Sequence, residues 1–407
     1  DYFSWGPELD LVAQDHYLEA HDPDGHVELA WSADLTRGVA GRRPWFLMEH
    51  STSAVNWQQR NVAKAPGQLA RNSIAHVARG ADAACFFQWR QSRAGAEKFH
   101  SALVPHAGTD TKVWREVVEL GRTLRAIGEV AGSVVDAEVA ILFDWTAGWA
   151  TELDSHPSAD VTYLDRSHAL YRALWDAGVT ADLVHPDTDL TSYRLILVPT
   201  LYLTSSRSAD NLRRYVERGG HVLVTYWSGI VDENDHLHPG AYPGAFRDLL
   251  GISTEEFFPL RAGEQVRLSG GVLDGETADV WTEQLSLRGA KEVSGYMDGP
   301  LPGTPALTRH GVGRGTAWYL ATRLQPSGTA ALVRELCAAA GVEVHDRPGV
   351  EVVRRRGDDA SYLFVLNHTG ETAEVAADGT DLVSGRNCQG TVSVPAGSVA
   401  VVREAVT

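Results

Sequence analysis

Short apolar runs and helical spacings alternate along the first third of the chain. Residues 11–17 contain a strand whose polar members, Gln14, Asp15 and His16, gather at its C-terminal end. Residues 44–48 (PWFLM) form an unbroken apolar run, the pattern of a parallel strand covered on both faces. Residues 83–90 (AACFFQWR) read as a third strand. Between the first two lie a DPDG turn at 22–25 and a short helix or loop over 34–38. After Pro66 and Gly67, Ala70, Ile74 and Val77 recur at helical spacing, and Gly80 stops that helix. Asp110 reads as the N-cap of a long helix with Val113, Val117, Leu120, Leu124 and Ile127 on one face, closed by Gly132.

From Glu138 the alternation restarts. Strands are expected at 139–143, 181–184, 195–198 and 221–225, with helices over 164–177 and around Leu212, Tyr215 and Val216. Strand-helix alternation at this spacing predicts a parallel, doubly wound sheet. Residues 260–325 look β-rich, with turns at Gly270-Gly271 and Pro302-Gly303. Beyond Val350 the period shortens to alternating strands with frequent turns, which predicts a small antiparallel sandwich. The fold class is therefore α/β, in three parts: residues 1–132, 133–345 and 346–407. A (β/α)8 barrel needs eight strands in roughly 250 residues. Three strands leave an open edge, so residues 1–132 are expected to be the last three strands of a barrel whose earlier strands are absent.

Chemistry concentrates at the strand ends of the first part. Glu49 follows the apolar run directly, where desolvating an unpaired carboxylate is expensive. At the C-terminal strand ends of a barrel such side chains are catalytic; the bland alternative is a Glu that caps the next loop. Tyr17 is a packing residue on its own pattern. Glu97 and His100, in EKFH, read by default as a solvated face. They are also half of a di-metal pattern, but a second such pair is missing, so no metal is expected. Residues 311–315 (GVGRG) precede a strand and so form a hairpin turn, not a phosphate loop. No G-x-S-x-G, H-E-x-x-H or P-loop lysine motif occurs. None of the strands expected between 139 and 225 ends in Cys, so that domain points to assembly, not chemistry.

Composition narrows the picture further. A formal charge of −17 over 407 residues argues against nucleic acid and anionic membranes as partners. No apolar run of about eighteen residues suggests a membrane span. Three cysteines far apart, Cys85, Cys337 and Cys388, fit free thiols of a reducing compartment, so a cytoplasmic location is expected. Twelve Trp stand out, several beside polar residues; Trp is commonly core, yet sugar pockets also need flat aromatic faces. The chain opens at Asp1 without an initiator Met, so the lack of a targeting segment says little.

FLMEH, VNW, the strand into FFQWR and EKFHSALVPH together resemble the retaining β-galactosidases of glycoside hydrolase family 42. The resemblance runs from about Leu11 to the C-terminus and is most specific around Glu49. It implies Glu49 as nucleophile, Tyr17 close beside it, Trp57 as a sugar-stacking wall, and Glu97 and His100 as partners of galactose hydroxyls. It implies a galactoside substrate, no cofactor, and a homotrimer. TYWSGIVDEND (225–235) resembles the family's flavodoxin- or amidotransferase-like trimerisation domain, although pattern alone gives an acidic surface loop. YLFVLNHTGE (362–371) resembles its C-terminal β domain. Family members carry their acid/base Glu after an Asn, and no Asn-Glu dipeptide occurs in these 407 residues. The expectation is a fragment with little activity alone. The alternatives are a non-catalytic oligomerisation or sugar-binding scaffold, and an amidotransferase-related regulator that would explain 138–260 only.

Overall fold

The computed structural model describes residues 1–405. They divide into two compact units: residues 137–346 form one, and residues 2–136 with the chain from 347 onward form the other. In the second unit, β1 (Ala13–Asp15), α1 (Gly25–Val39), β2 (Trp45–Glu49), α2 (Gln68–Ala78) and β3 (Ala81–Ala84) alternate, and the strands lie parallel in the order β1-β2-β3. Trp45 and Leu47 are fully buried with Val12, Ala33, Ala40 and Ala81, whereas Met48 is 45% exposed. The apolar run of β2 is thus covered on one face only among the described residues, not on both as its pattern predicted. Period two sends Phe46 and Met48 to the face away from α1.

Other expectations need correction. Residues 25–39 are one fifteen-residue helix rather than a turn followed by a short helix or loop. Its helical period is masked because charged residues occupy its buried face: Asp34 pairs with both Arg37 and Arg79. The third strand stops at Ala84, and 85–90 run as a loop in which Gln88 O accepts from Leu103 N (2.8 Å) and Arg90 bridges Val104. Its aromatic residues satisfy a strand pattern without joining the sheet. The long helix α3 (Lys112–Ala126) is capped by Thr111, not Asp110; Thr111 Oγ1 accepts from Trp114 N at 3.3 Å. Gly80, at φ 106°, brings the chain so close to Trp45 that a Cβ there would lie 3.3 Å from the indole nitrogen. A side chain would meet both strain and crowding. The two-residue strand β4 (Val134–Val135) follows.

The 137–346 unit holds β5 (Val139–Leu142), α4 (Trp145–Thr151), α5 (Tyr163–Asp176), β6 (Ala181–Val184), β7 (Leu195–Val198), α6 (Ser206–Glu217) and β8 (His221–Thr225). All residues of β5, β6 and β7 are buried, so these strands read as continuous apolar runs. They pair in parallel as β6-β5-β7-β8. The β-rich stretch supplies β9 (Ile252–Pro259), β10 (Gln265–Ser269), β11 (Thr277–Asp279), β12 (Trp281–Leu287), β13 (Lys291–Tyr296), β14 (Pro305–Val312), β15 (Gly315–Leu320) and β16 (Arg323–Leu324), followed by α7 (Pro326–Ala340). β15 joins β8 in parallel and carries an antiparallel extension, giving a mixed ten-stranded sheet rather than a purely parallel one. The GVGRG segment is the β14–β15 hairpin, as expected. Residues 226–231 are buried in an aromatic cluster with Trp281 rather than forming a surface loop; Asp232 to Asp235 turn outward beyond it.

The C-terminal part comprises β17 (Val350–Arg356), β18 (Ala360–Asn367), β19 (Ala373–Ala376), β20 (Gly379–Asp381), β21 (Arg386–Cys388), β22 (Thr391–Val394) and β23 (Val399–Ala405). The main sheet runs β21-β20-β23-β18-β17-β4, and β19 pairs with β22. The expected antiparallel sandwich is present; residues 406 and 407, included in the expected 346–407 span, lie outside the described residues. Every residue of β18 is buried, because one face packs on Val375, Val392 and Val394 and the other on α2 and α3 through Ile74, Ala75 and Leu120. Among the described residues no helix is long and apolar enough to cross a membrane.

Candidate active site

Glu49 is the last residue of β2, at the C-terminal edge of the parallel sheet. Asp15 ends β1 directly alongside it, and His16 N donates to Glu49 O at 3.0 Å. Two residues further, Tyr17 Oη donates to Glu49 Oε2 at 2.7 Å. Burial raises the Tyr17 phenol pKa first, and the hydrogen bond to Glu49 and its charge add to this, so the phenol keeps its proton and stays a donor. Partial desolvation, then the charge of Glu49, holds the Asp15 carboxyl above the usual range, although the residue as a whole is exposed.

The loop after Glu49 is stitched to a distant stretch of chain. Thr52 Oγ1 donates to Ala102 O (3.0 Å), Ser101 Oγ accepts from Ser53 N (2.9 Å), Ser101 N donates to Ala54 O (2.9 Å), and Asn56 Nδ2 donates to Ala96 O (3.0 Å). This zipper brings Trp57 onto His100, ring centroids 5.2 Å apart and 30° from parallel. Tyr17 meets Trp57 edge-on at 4.9 Å and His100 at 5.8 Å, and Phe87 closes the far side of His100 at 5.0 Å. Trp57 is 55% exposed while His100 is fully buried.

His100 Nδ1 donates to Ser101 O at 2.8 Å, so in the neutral ring Nε2 carries the lone pair. That buried Nε2 has no hydrogen-bond partner among the described residues. Glu97 sits one turn earlier in a 3-10 segment, Ala96–Phe99, exposed and within electrostatic reach of Tyr17. Tyr17, Glu49, Trp57 and His100 therefore meet, with Glu97 at the rim. Among the described residues no group of three or more His, Cys, Asp or Glu is arranged to hold a metal ion.

Pattern reading did not find the polar layer beneath. Lys64 is buried, donates to Ser51 O, and lies 3.3 Å from His50 Nε2. His50 Nδ1 donates to His16 O at 3.2 Å, which leaves Nε2 to accept from Lys64. Burial, then the charge of Lys64, drives the His50 pKa well below its ordinary value, and burial does the same to His76, which meets His16 and His50 edge-on. Burial lowers the Lys64 ammonium to about 7, helped by Lys112 and opposed by Glu116. The one sequence signal was His50 itself, a second titratable residue at the strand end.

Three family models match successive stretches of the chain: "Beta-galactosidase" over residues 1–127, "Beta-galactosidase trimerisation domain" over 137–343, and "Beta-galactosidase C-terminal domain" over 349–404. A β-galactosidase of Arthrobacter sp is 54% identical over 407 residues, covering 99% of this chain and 58% of the relative. One of Heyndrickxia coagulans is 40% identical over 391 residues, covering 95% and 58%. The solved β-galactosidase from Bacillus circulans sp. alkalophilus matches with a TM-score of 0.95 at 34% identity, over 100% of this chain and 62% of that one. The chain thus spans less than two thirds of the length of these relatives. It belongs to the β-galactosidases of glycoside hydrolase family 42.

Proposed function

We propose that residues 1–132 carry the nucleophile half of a retaining β-galactosidase site. Glu49 attacks the anomeric carbon of a terminal β-D-galactoside: its carboxylate oxygen bonds to that carbon as the bond to the leaving oxygen breaks, and water later releases galactose. The observation that carries this is the Tyr17–Glu49 hydrogen bond at a strand end, beneath the Trp57–His100 wall. Tyr17 fixes the attacking carboxylate in orientation. Trp57 offers an aromatic face to the sugar, His100 Nε2 accepts a hydrogen bond from one sugar hydroxyl, and Glu97 accepts one from another at the rim. The 137–346 unit assembles three copies, and a cytoplasmic location accords with three unbridged thiols.

Retaining hydrolysis needs a second carboxylate about 5–5.5 Å from the first. No Asn-Glu dipeptide supplies the family's acid/base residue here, so the chain by itself has little or no activity. That same absence favours a second reading, a sugar-binding or oligomerisation scaffold. One experiment separates them. The 407 residues alone are expected not to turn over a nitrophenyl β-galactoside, whereas fusion to the upstream barrel segment of a relative restores turnover. Glu49→Gln in the fusion then costs roughly 10⁴-fold or more, the scale of losing a nucleophile. Turnover by the chain alone, or a fusion indifferent to Glu49→Gln, sinks the proposal.

A further inference from the structure

Helix α4 follows β5 and buries Ala147, Gly148, Ala150 and Thr151. It packs so tightly on α5 that a Cβ on Gly148 would lie 3.0 Å from the Tyr163 ring. Its other side is apolar too. Trp145 is half-buried, Trp149 is 56% exposed, and Leu153, one turn on, is 54% exposed. Residues at i, i+4 and i+8 line up along one helix face, and the turn continues past α4 because Ala150 O accepts from Leu153 N at 3.3 Å. Exposed Glu152 and Asp154 flank the stripe. Two tryptophans and a leucine in a row differ from the singly scattered exposed apolar residues of the same unit, Leu164, Leu237, Leu287 and Met297, which need no explanation.

We infer that this Trp145–Trp149–Leu153 stripe is the surface by which one copy of the chain grips the next. The inference rests on the reading that the 137–346 unit assembles trimers, and it names where. The occupant is a second copy because the stripe lies inside the span, 137–343, whose matching family model is described as a trimerisation domain. Trp is among the residues that dominate interface energetics when desolvated at a patch centre. A three-fold ring is built from heterologous contacts, so the stripe meets a different surface on its neighbour, and spoiling it breaks all three contacts at once.

The test is the solution mass of the 407-residue chain by light scattering after size-exclusion chromatography, with circular dichroism to confirm folding. The unaltered chain and Leu237→Glu are expected at three-copy mass. The double variant Trp149→Glu/Leu153→Glu is expected at one-copy mass with an unchanged spectrum. The milder Trp149→Ala should raise the concentration of half-dissociation by roughly 30-fold or more, the scale of a hot-spot residue. If both stripe variants remain trimeric, the interface lies elsewhere and the inference is wrong. If the unaltered chain is itself a monomer, the trimer reading fails and takes the inference with it; the two failures differ in which sample is anomalous.

Discussion

Lys64 occupies an unusual position for a lysine: buried, with Ser51 O and the neutral His50 ring as its partners, directly behind the loop that leads from Glu49 to Trp57. Burial holds its ammonium at about 7, below a lysine's ordinary 10.5. Between these two values the unfolded chain binds more protons than the folded one, so this residue makes stability rise with pH from about 7 toward 10.5. The slope is at most about 1.4 kcal/mol per pH unit, one proton's worth. Lys64→Met is expected to flatten that rise, while leaving Ser51 O and His50 Nε2 without their donor. Urea unfolding at pH 7 and pH 9 checks it: a variant whose gain over this interval equals that of the unaltered chain contradicts the assignment. At this scale the candidate site was partly legible. Glu49 announced itself as a charge closing an apolar run, and the resemblance supplied Tyr17, Trp57 and His100. His16 and His50 showed only as polar residues at strand ends, and His76 and Lys64 were not legible at all, because buried titratable residues follow no periodic pattern.

Among the elements, β12 shows how a strand in the 137–346 unit absorbs a charge. Glu283 is fully buried and accepts from Trp281 Nε1 (2.8 Å), Tyr319 Oη (2.6 Å), Thr254 Oγ1 (3.1 Å) and Trp227 N (3.4 Å). Burial outweighs these four donors and lifts its carboxyl to about 7. A folded pKa above the unfolded one means that the stabilisation is present below about 4.5 and is lost as pH rises through about 7. The amount is on the order of 3 kcal/mol. Glu283→Gln should remove this dependence, so thermal unfolding at pH 5.5 and 7.5 is expected to show a fall for the unaltered chain that the variant lacks. Element reading from pattern succeeded where strands are buried on both faces, as at β6, β7 and β8. It failed at α1, where Asp34 and Arg37 sit on the buried face, and at residues 85–90, whose aromatics pack without a ladder.

At the scale of the whole molecule, the second unit is assembled from the two ends of the chain. Arg355 on β17 is buried and holds that join: it donates to Val77 O (2.7 Å), Ala81 O (3.2 Å), Ser133 O (2.7 Å) and Asp82 Oδ1 (2.7 Å). Nearby, Arg79 pairs with Glu351 at 2.8 Å. Burial opposes ionisation of Glu351, but Arg79 and His368 more than offset it and hold the carboxyl at about 2. Arg355→Met is expected to destabilise the unit by about 3–5 kcal/mol, because Asp82 and three carbonyls lose their donor in a buried setting. Urea unfolding followed by tryptophan fluorescence measures it, and a loss below 1 kcal/mol would count against the join. Local pattern determined the parallel strands, the hairpins, the C-terminal β structure and the suspicious charge at Glu49, because periodicity and turn chemistry act over a few residues. Only the tertiary structure decided that β4 pairs with β17, that Arg355 crosses to Val77, and that His100 stacks on Trp57. Those contacts join residues tens to hundreds of positions apart, and which of them form depends on burying polar groups together at sites that no local spacing encodes.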